Sequence, residues 1–157
     1  MRVFIPTPAG RRRVNVLGAL NAITHELITV INETYINSEC VCELLMKIAA
    51  LKYSVPVTLV LDNARYQKCQ FVQDFADFLG IELLFLPSYS PNLNLIERFW
   101  KFVKSQCLYS KYYENFSDFK EAILSCLQTA NQKHKDELNS LLTLKFQSFQ
   151  KVKIMPV

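Results

Sequence analysis

Two carboxylates in this chain stand where a metal-dependent reaction would need them. Asp62 closes an apolar run in the stretch VLDNARYQ, and Glu97 opens a helical pattern in PSYSPNLNLIERFWKFVK, with 34 residues between the two. Carboxylates carried on different elements suggest a divalent-cation site, because hard cations such as Mg2+ draw oxygen ligands from converging segments. Each residue also has a purely architectural reading. Asp62, in Leu-Asp-Asn-Ala, suits a turn that caps a helix starting near Gln67. Asn94 and Glu97 fit a capping box, and Lys101 is placed to pair with Glu97 for about 0.2–0.5 kcal/mol. Those readings explain a helix start and a solvated face, but not why the two acids should meet.

Other side chains are weaker candidates. Lys101 and Lys104 share a helical face with Glu97, which suits contact with nucleic-acid phosphates as well as it suits solvent. Arg11, Arg12 and Arg13 form the densest basic run, at the entrance to a strand, with the same two readings. Phe99 and Trp100 have the faces to stack on a base, but their spacing assigns them to a core. His25 and His134 have no partner at a ligand or triad spacing. Ser88 and Ser90 lack a nearby His, which argues against a hydrolase nucleophile.

The elements that would hold the two acids are legible in the apolar pattern. Met1 to Gly10, with two prolines and a glycine, reads as an irregular lead-in, of which Arg2 to Ile5 could fill part of a bare strand edge before Pro6 and Pro8 limit it. Val14, Val16, Gly18, Leu20 and Ala22 alternate with their neighbours as a strand, and Leu27 to Ile31 follows as its hairpin partner through Thr24 and His25. Val41, Leu44, Leu45, Ile48 and Leu51 predict a helix from about Ser38 to Lys52. Val57 to Leu61 reads as a strand buried on both faces. Phe71, Val72, Phe75, Phe78 and Leu79 give a helix that Gly80 stops, and Glu82 to Leu86 is a short strand. Asn94 to about Leu108 is helical with Ile96, Trp100, Val103 and Cys107 inward. Two more helical patterns follow, around Phe119, Ile123 and Leu127 and around Leu138, Leu141 and Leu142. Periodicity alone supports a three-layer α/β domain.

Composition bounds the rest. At 157 residues, half of them apolar, the chain is long enough to bury a real core as one domain. A net charge of +4 is compatible with nucleic acid without requiring it. Five cysteines match no zinc or disulfide spacing and read as reduced residues of a cytoplasmic protein. No signal peptide or membrane-length apolar stretch is visible.

Taken with its setting, the pair of acids resembles the catalytic core of the mariner-like superfamily of DDE transposases, in its bacterial insertion-sequence branch. In that family the second catalytic Asp lies in a strand-end Asp-Asn pair, here Asp62 and Asn63. The catalytic Glu follows 34 residues on in a Ser-Pro-x-Leu-Asn-x-Ile-Glu segment, here Ser90 to Glu97, with Leu95 where Pro is usual. The resemblance covers roughly residues 2–130, and it implies an RNase H-like mixed sheet with flanking helices as residues 1–130, followed by a C-terminal helical extension, 131–157. It further implies two Mg2+ or Mn2+ ions held by three carboxylates, DNA as substrate, and transposon ends cut and joined by phosphoryl transfer. The family's first Asp has no counterpart, since no Asp precedes Asp62 and the upstream acids are Glu26, Glu33, Glu39 and Glu43. The fold is therefore expected to lack its first, central strand. The chain is expected to be the C-terminal part of a transposase, a remnant or one half of a split frame, without the family's helix-turn-helix region and inactive alone. Its partners would be the upstream half or a full-length transposase. The alternative is a non-catalytic module that binds DNA or docks on the intact enzyme and interferes with it.

Overall fold

Alternation along one strand sets the layers. In a computed structural model, which describes residues 2–6, 13–87, 95–107, 115–133, 135–136 and 139, that strand is β2 (Arg13–Leu20). Val14 and Val16 pack on one side against α4 (Leu95–Cys107) and α5 (Phe116–Lys133). Leu17 and Ala19 pack on the other, against α1 (Ser38–Ala50) and α3 (Gln70–Leu79). Helices thus cover both faces, giving the expected three layers.

β2 pairs antiparallel with β3 (Leu27–Asn32), from Leu20 opposite Leu27 to Asn15 opposite Asn32. Asn21 ends the strand two residues before the expected Ala22, because its Oδ1 accepts the backbone N–H groups of Ile23 at 2.9 Å and Thr24 at 3.0 Å. His25 completes the turn at φ 63°, the left-handed region. α1 begins where expected, with Asn37 Oδ1 accepting Cys40 N at 3.1 Å as N-cap.

The lead-in is a correction. Residues Arg2–Pro6 form β1, antiparallel to β2 in the register Arg2 opposite Leu17 to Pro6 opposite Arg13. Pro6 sits at the strand's last position, where its missing donor costs the ladder least. The edge of β2 expected to be bare is therefore paired, although β1 brings no Asp.

β4 (Val57–Leu61) and β5 (Ile81–Phe85) run parallel, Val57 opposite Ile81 and Leu61 opposite Phe85. Among the described residues, no ladder joins this pair to the three-stranded sheet. Val57 to Val60 are accordingly half-exposed, and only Leu61 is buried, where the sequence predicts burial on both faces. The region between the two strands is also more broken than the helical spacing predicts. α2 (Arg65–Lys68) is a single turn, and Cys69, extended at ψ 157°, separates it from α3. Gly80 ends α3 at φ 73° as predicted, its N–H directed to Ala76 O and Asp77 O.

α4 lies on the sheet because Gly18 leaves room for Trp100. A Cβ at Gly18 would come within 2.8 Å of Trp100 Cζ2. Phe99 and Trp100, edge-to-face at 5.6 Å, are core residues as their spacing predicts. Cys40, Cys42 and Cys69 are free thiols, whereas Cys126 is disulfide-bonded, which differs from the all-reduced expectation. Leu108, His134 and the helical pattern around Leu138, Leu141 and Leu142 lie outside the described residues, as does most of the extension beyond residue 130.

Candidate active site

Asp62 follows directly on the β4 ladder. Leu86 N donates to Leu61 O at 2.7 Å, extending the β4–β5 pairing up to the residue before it. Asn63 Nδ2 then donates to Leu86 O at 2.9 Å and ties the loop back onto β5's end. The Asp62 side chain does form the turn that its local sequence suggests, with Oδ1 accepting Ala64 N at 3.1 Å. A second donor comes from a residue that the sequence did not single out. Gln67 is 1% exposed, and in the amide orientation that sets donor against acceptor its nitrogen gives 2.7 Å to Asp62 Oδ1 and 3.3 Å to Asp62 O. No hydrogen bond to Asp62 Oδ2 is present among the described residues.

Glu97 lies in the first turn of α4. Ile96, Phe99, Trp100 and Val103 anchor that helix in the core, leaving Glu97 half-buried on a different face. Burial is the main cause that raises its pKa above the ordinary carboxylate value, and the charge of Asp62 raises it further. The amino-terminal charge, and after it those of Lys101 and Lys104, act in the opposite direction. Asp62 thus stands just past the end of β4 and Glu97 in the first turn of α4, with the two lysines further along that helix. Lys101 is exposed and Lys104 half-buried. The capping partner Asn94 and the Ser90 to Asn94 segment lie outside the described residues, as do Ser88, Arg11 and Arg12. Arg13 is described, and its guanidinium donates to the Thr34 carbonyl, from Nε at 2.8 Å. That bond clips the start of β2 to the end of β3.

A third acid does not join them among the described residues. Among the described residues, no group of three or more His, Cys, Asp or Glu side chains is placed to hold a metal ion. Glu26 is exposed in the β2–β3 turn. Asn21 to Ile23 of that turn border the same cavity as Val55 to Leu59 at the start of β4, the end away from Asp62. It therefore cannot reach the site. His25, buried in the same turn, is equally remote.

Solved structures share the three-layer α/β frame that carries the two acids here. The chain is similar to the catalytic domain of Mos1 transposase, solved with raltegravir and Mg, at 13% identity and TM-score 0.64 over 94% of this chain and 83% of that one. The catalytic core domain of BIV integrase matches at 16% identity and TM-score 0.58, covering 88% and 92%. A chain of the simian T-cell lymphotropic virus intasome, solved with the PP2A regulatory subunit B56 gamma, matches at 15% identity and TM-score 0.63 over 99% of this chain. The present chain spans 58% of that intasome chain's length. At these identities the likeness establishes the fold, the RNase H-like fold of integrase and transposase catalytic cores. No curated protein matches the chain in sequence. Residues 2–120 match the model of the DDE superfamily endonuclease family, and the chain belongs to that family. No helix among the described residues is long and apolar enough to cross a membrane.

Proposed function

We propose that the chain is a catalytic region of a transposase that cuts and joins DNA, with Asp62 and Glu97 as ligands for Mg2+ or Mn2+. The observation that carries this reading is the placement of an Asp directly after β4 and a Glu in the first turn of α4 within a DDE-family chain. The residues suit such an ion. Both donors are hard oxygens, and Asp62 makes ionisation of Glu97 costlier, a repulsion that a divalent cation removes. When bound, the ions activate a water or a 3′-hydroxyl and stabilise the leaving oxygen of an in-line displacement at phosphorus. The chain's own residues hold and orient. The β4 end fixes Asp62, the core-anchored α4 fixes Glu97, and Lys101 and Lys104 meet the phosphates beside them. Arg11, Arg12 and Arg13 form a second phosphate contact, with Arg13 also bound to Thr34. Residues 1–130 act as the core and 131–157 as a helical extension.

By itself the chain is inactive in this reading, because two carboxylates underhold a two-metal site and leave the attacking oxygen unpositioned. A third acid from outside residues 1–157 completes it. Supercoiled plasmid incubated with the purified chain in Mn2+ should stay intact. Metal-dependent nicking that disappears in both Asp62→Ala and Glu97→Ala would falsify the inactivity while keeping the ligands. The half-exposed β4, unjoined to the larger sheet among the described residues, favours a second reading in which the chain docks on an intact transposase and interferes with it. Co-purification with such an enzyme, with loss of its activity, separates the two.

A further inference from the structure

Asp62 presents its oxygens unequally. Ala64 N and the Gln67 amide both address Oδ1, at 3.1 and 2.7 Å, and Gln67 also reaches the Asp62 carbonyl at 3.3 Å. Gln67 is 1% exposed, although Gln is seldom fully buried. A buried amide whose donors go unused is costly, so the bond to Asp62 is what satisfies it. Two donors on one oxygen fix the carboxylate torsion and leave Oδ2 the freer acceptor. Building on the reading of Asp62 as a metal ligand, we infer that Gln67 is a positioning residue. It clamps Oδ1 so that Oδ2 is aimed at the ion.

The chemistry of the amide suits that task. Gln is neutral at every working pH, so it orients the carboxylate without cancelling the charge that attracts a cation, as an Arg or Lys would. Its position follows from local structure. α2 is one turn long, and Ala64 O accepts the N–H groups of both Gln67 and Lys68 at 3.0 Å, folding that turn back over the β4 end. Partners of this kind, one shell out from a ligand, typically govern metal affinity by about 10–100-fold.

The test uses Mn2+ alone, titrated calorimetrically into the full chain, beside thermal unfolding. Gln67→Leu removes the donor at similar size, and Gln67→Glu replaces it with an acceptor facing Asp62. Both should weaken Mn2+ binding about tenfold or more, with Gln67→Glu the worse. Gln67→His, which keeps an N–H donor, should recover part of the affinity, an outcome that a purely packing role does not give. Unchanged affinity in Gln67→Leu, when Asp62→Ala abolishes binding, overturns the clamp and leaves the ligand reading intact. Unchanged affinity in Asp62→Ala itself overturns the ligand reading. Should Gln67→Leu fail to fold, the wild-type protein decides by NMR. A Gln67 side-chain amide slow to exchange and shifted by Asp62→Asn supports the clamp, whereas a fast-exchanging, unshifted one refutes it.

Discussion

Replacing Gly18 with alanine should loosen the helix that carries Glu97. The added Cβ would meet Trp100 Cζ2 at 2.8 Å, Trp100 Cη2 at 3.1 Å and Leu27 Cδ1 at 3.3 Å. Trp100 has little room to retreat, being 3% exposed and wedged beside Phe99. Overpacking of a filled core costs about 1–3 kcal/mol. Against this, alanine is favoured over glycine in a strand by about 0.5–1 kcal/mol. The central net is a loss of about 1 kcal/mol, or a fall in Tm of about 2–4 °C at this chain length. Trp100 is three residues past Glu97 on α4, so the same displacement shifts the carboxylate. Mn2+ affinity should fall along with Tm. The assay is a thermal melt with calorimetric Mn2+ titration of Gly18→Ala, Trp100→Phe and the double variant. Since phenylalanine lacks the ring atoms in the clash, Gly18→Ala should cost at least about 1 kcal/mol less in the Trp100→Phe background, a coupling typical of touching residues. An unchanged or raised Tm in the single variant, or strict additivity in the cycle, would show that α4 is not seated on Gly18.

Two further outcomes bear on the site. Glu97→Gln should melt higher than the wild type at pH 7 in chelator, since a raised folded pKa means that ionisation opposes folding. That advantage belongs to the pH range above the unfolded value of about 4.3 and should vanish as pH falls below it; a capping-box Glu would instead lose stability on substitution. DNA binding should be sequence-independent and weaken steeply with salt, and the Lys101→Ala, Lys104→Ala pair should lower the log–log salt slope by about 2. A preference for one duplex sequence that survives high salt would refute it, since only base-edge contacts could produce one.

The parts of the fold that could be read from the sequence are those whose apolar pattern is local. β2, β3, α1, β5 and α4 follow from alternation or helical spacing. The turn at Gly80 follows from the one residue that adopts φ 73° without strain. β1 is legible only in part, as a segment able to fill a bare edge, because Arg-Val-Phe-Ile-Pro is five residues long and close to a second proline. Its strand state comes from the open edge of β2, a partner that no local window contains. The break at Cys69 escaped for the opposite reason. The apolar residues of α3 continue the spacing of Tyr66 and Cys69 closely enough to hide an extended residue between two helices.

The site divides along the same line. Residue type and spacing single out Asp62 and Glu97, but whether they meet is decided by two long-range events: the parallel pairing of β4 with β5, and the seating of Trp100 on Gly18. Nothing in the sequence separates Gln67 from Gln70 or Gln73 nearby. Gln70 and Gln73 bond locally at the surface, to Asp74 Oδ1 at 2.7 Å and Lys68 O at 2.6 Å, whereas Gln67 is turned inward by the single turn of α2. A ligand's identity is carried by its own residue type, but its aim is carried by neighbours whose burial emerges only after the chain has folded. For this chain the consequence can be measured. On the proposed reading, substitutions of the acids should abolish cation binding, while substitutions of Gln67 and Gly18, neither able to bear a charge, should only weaken it.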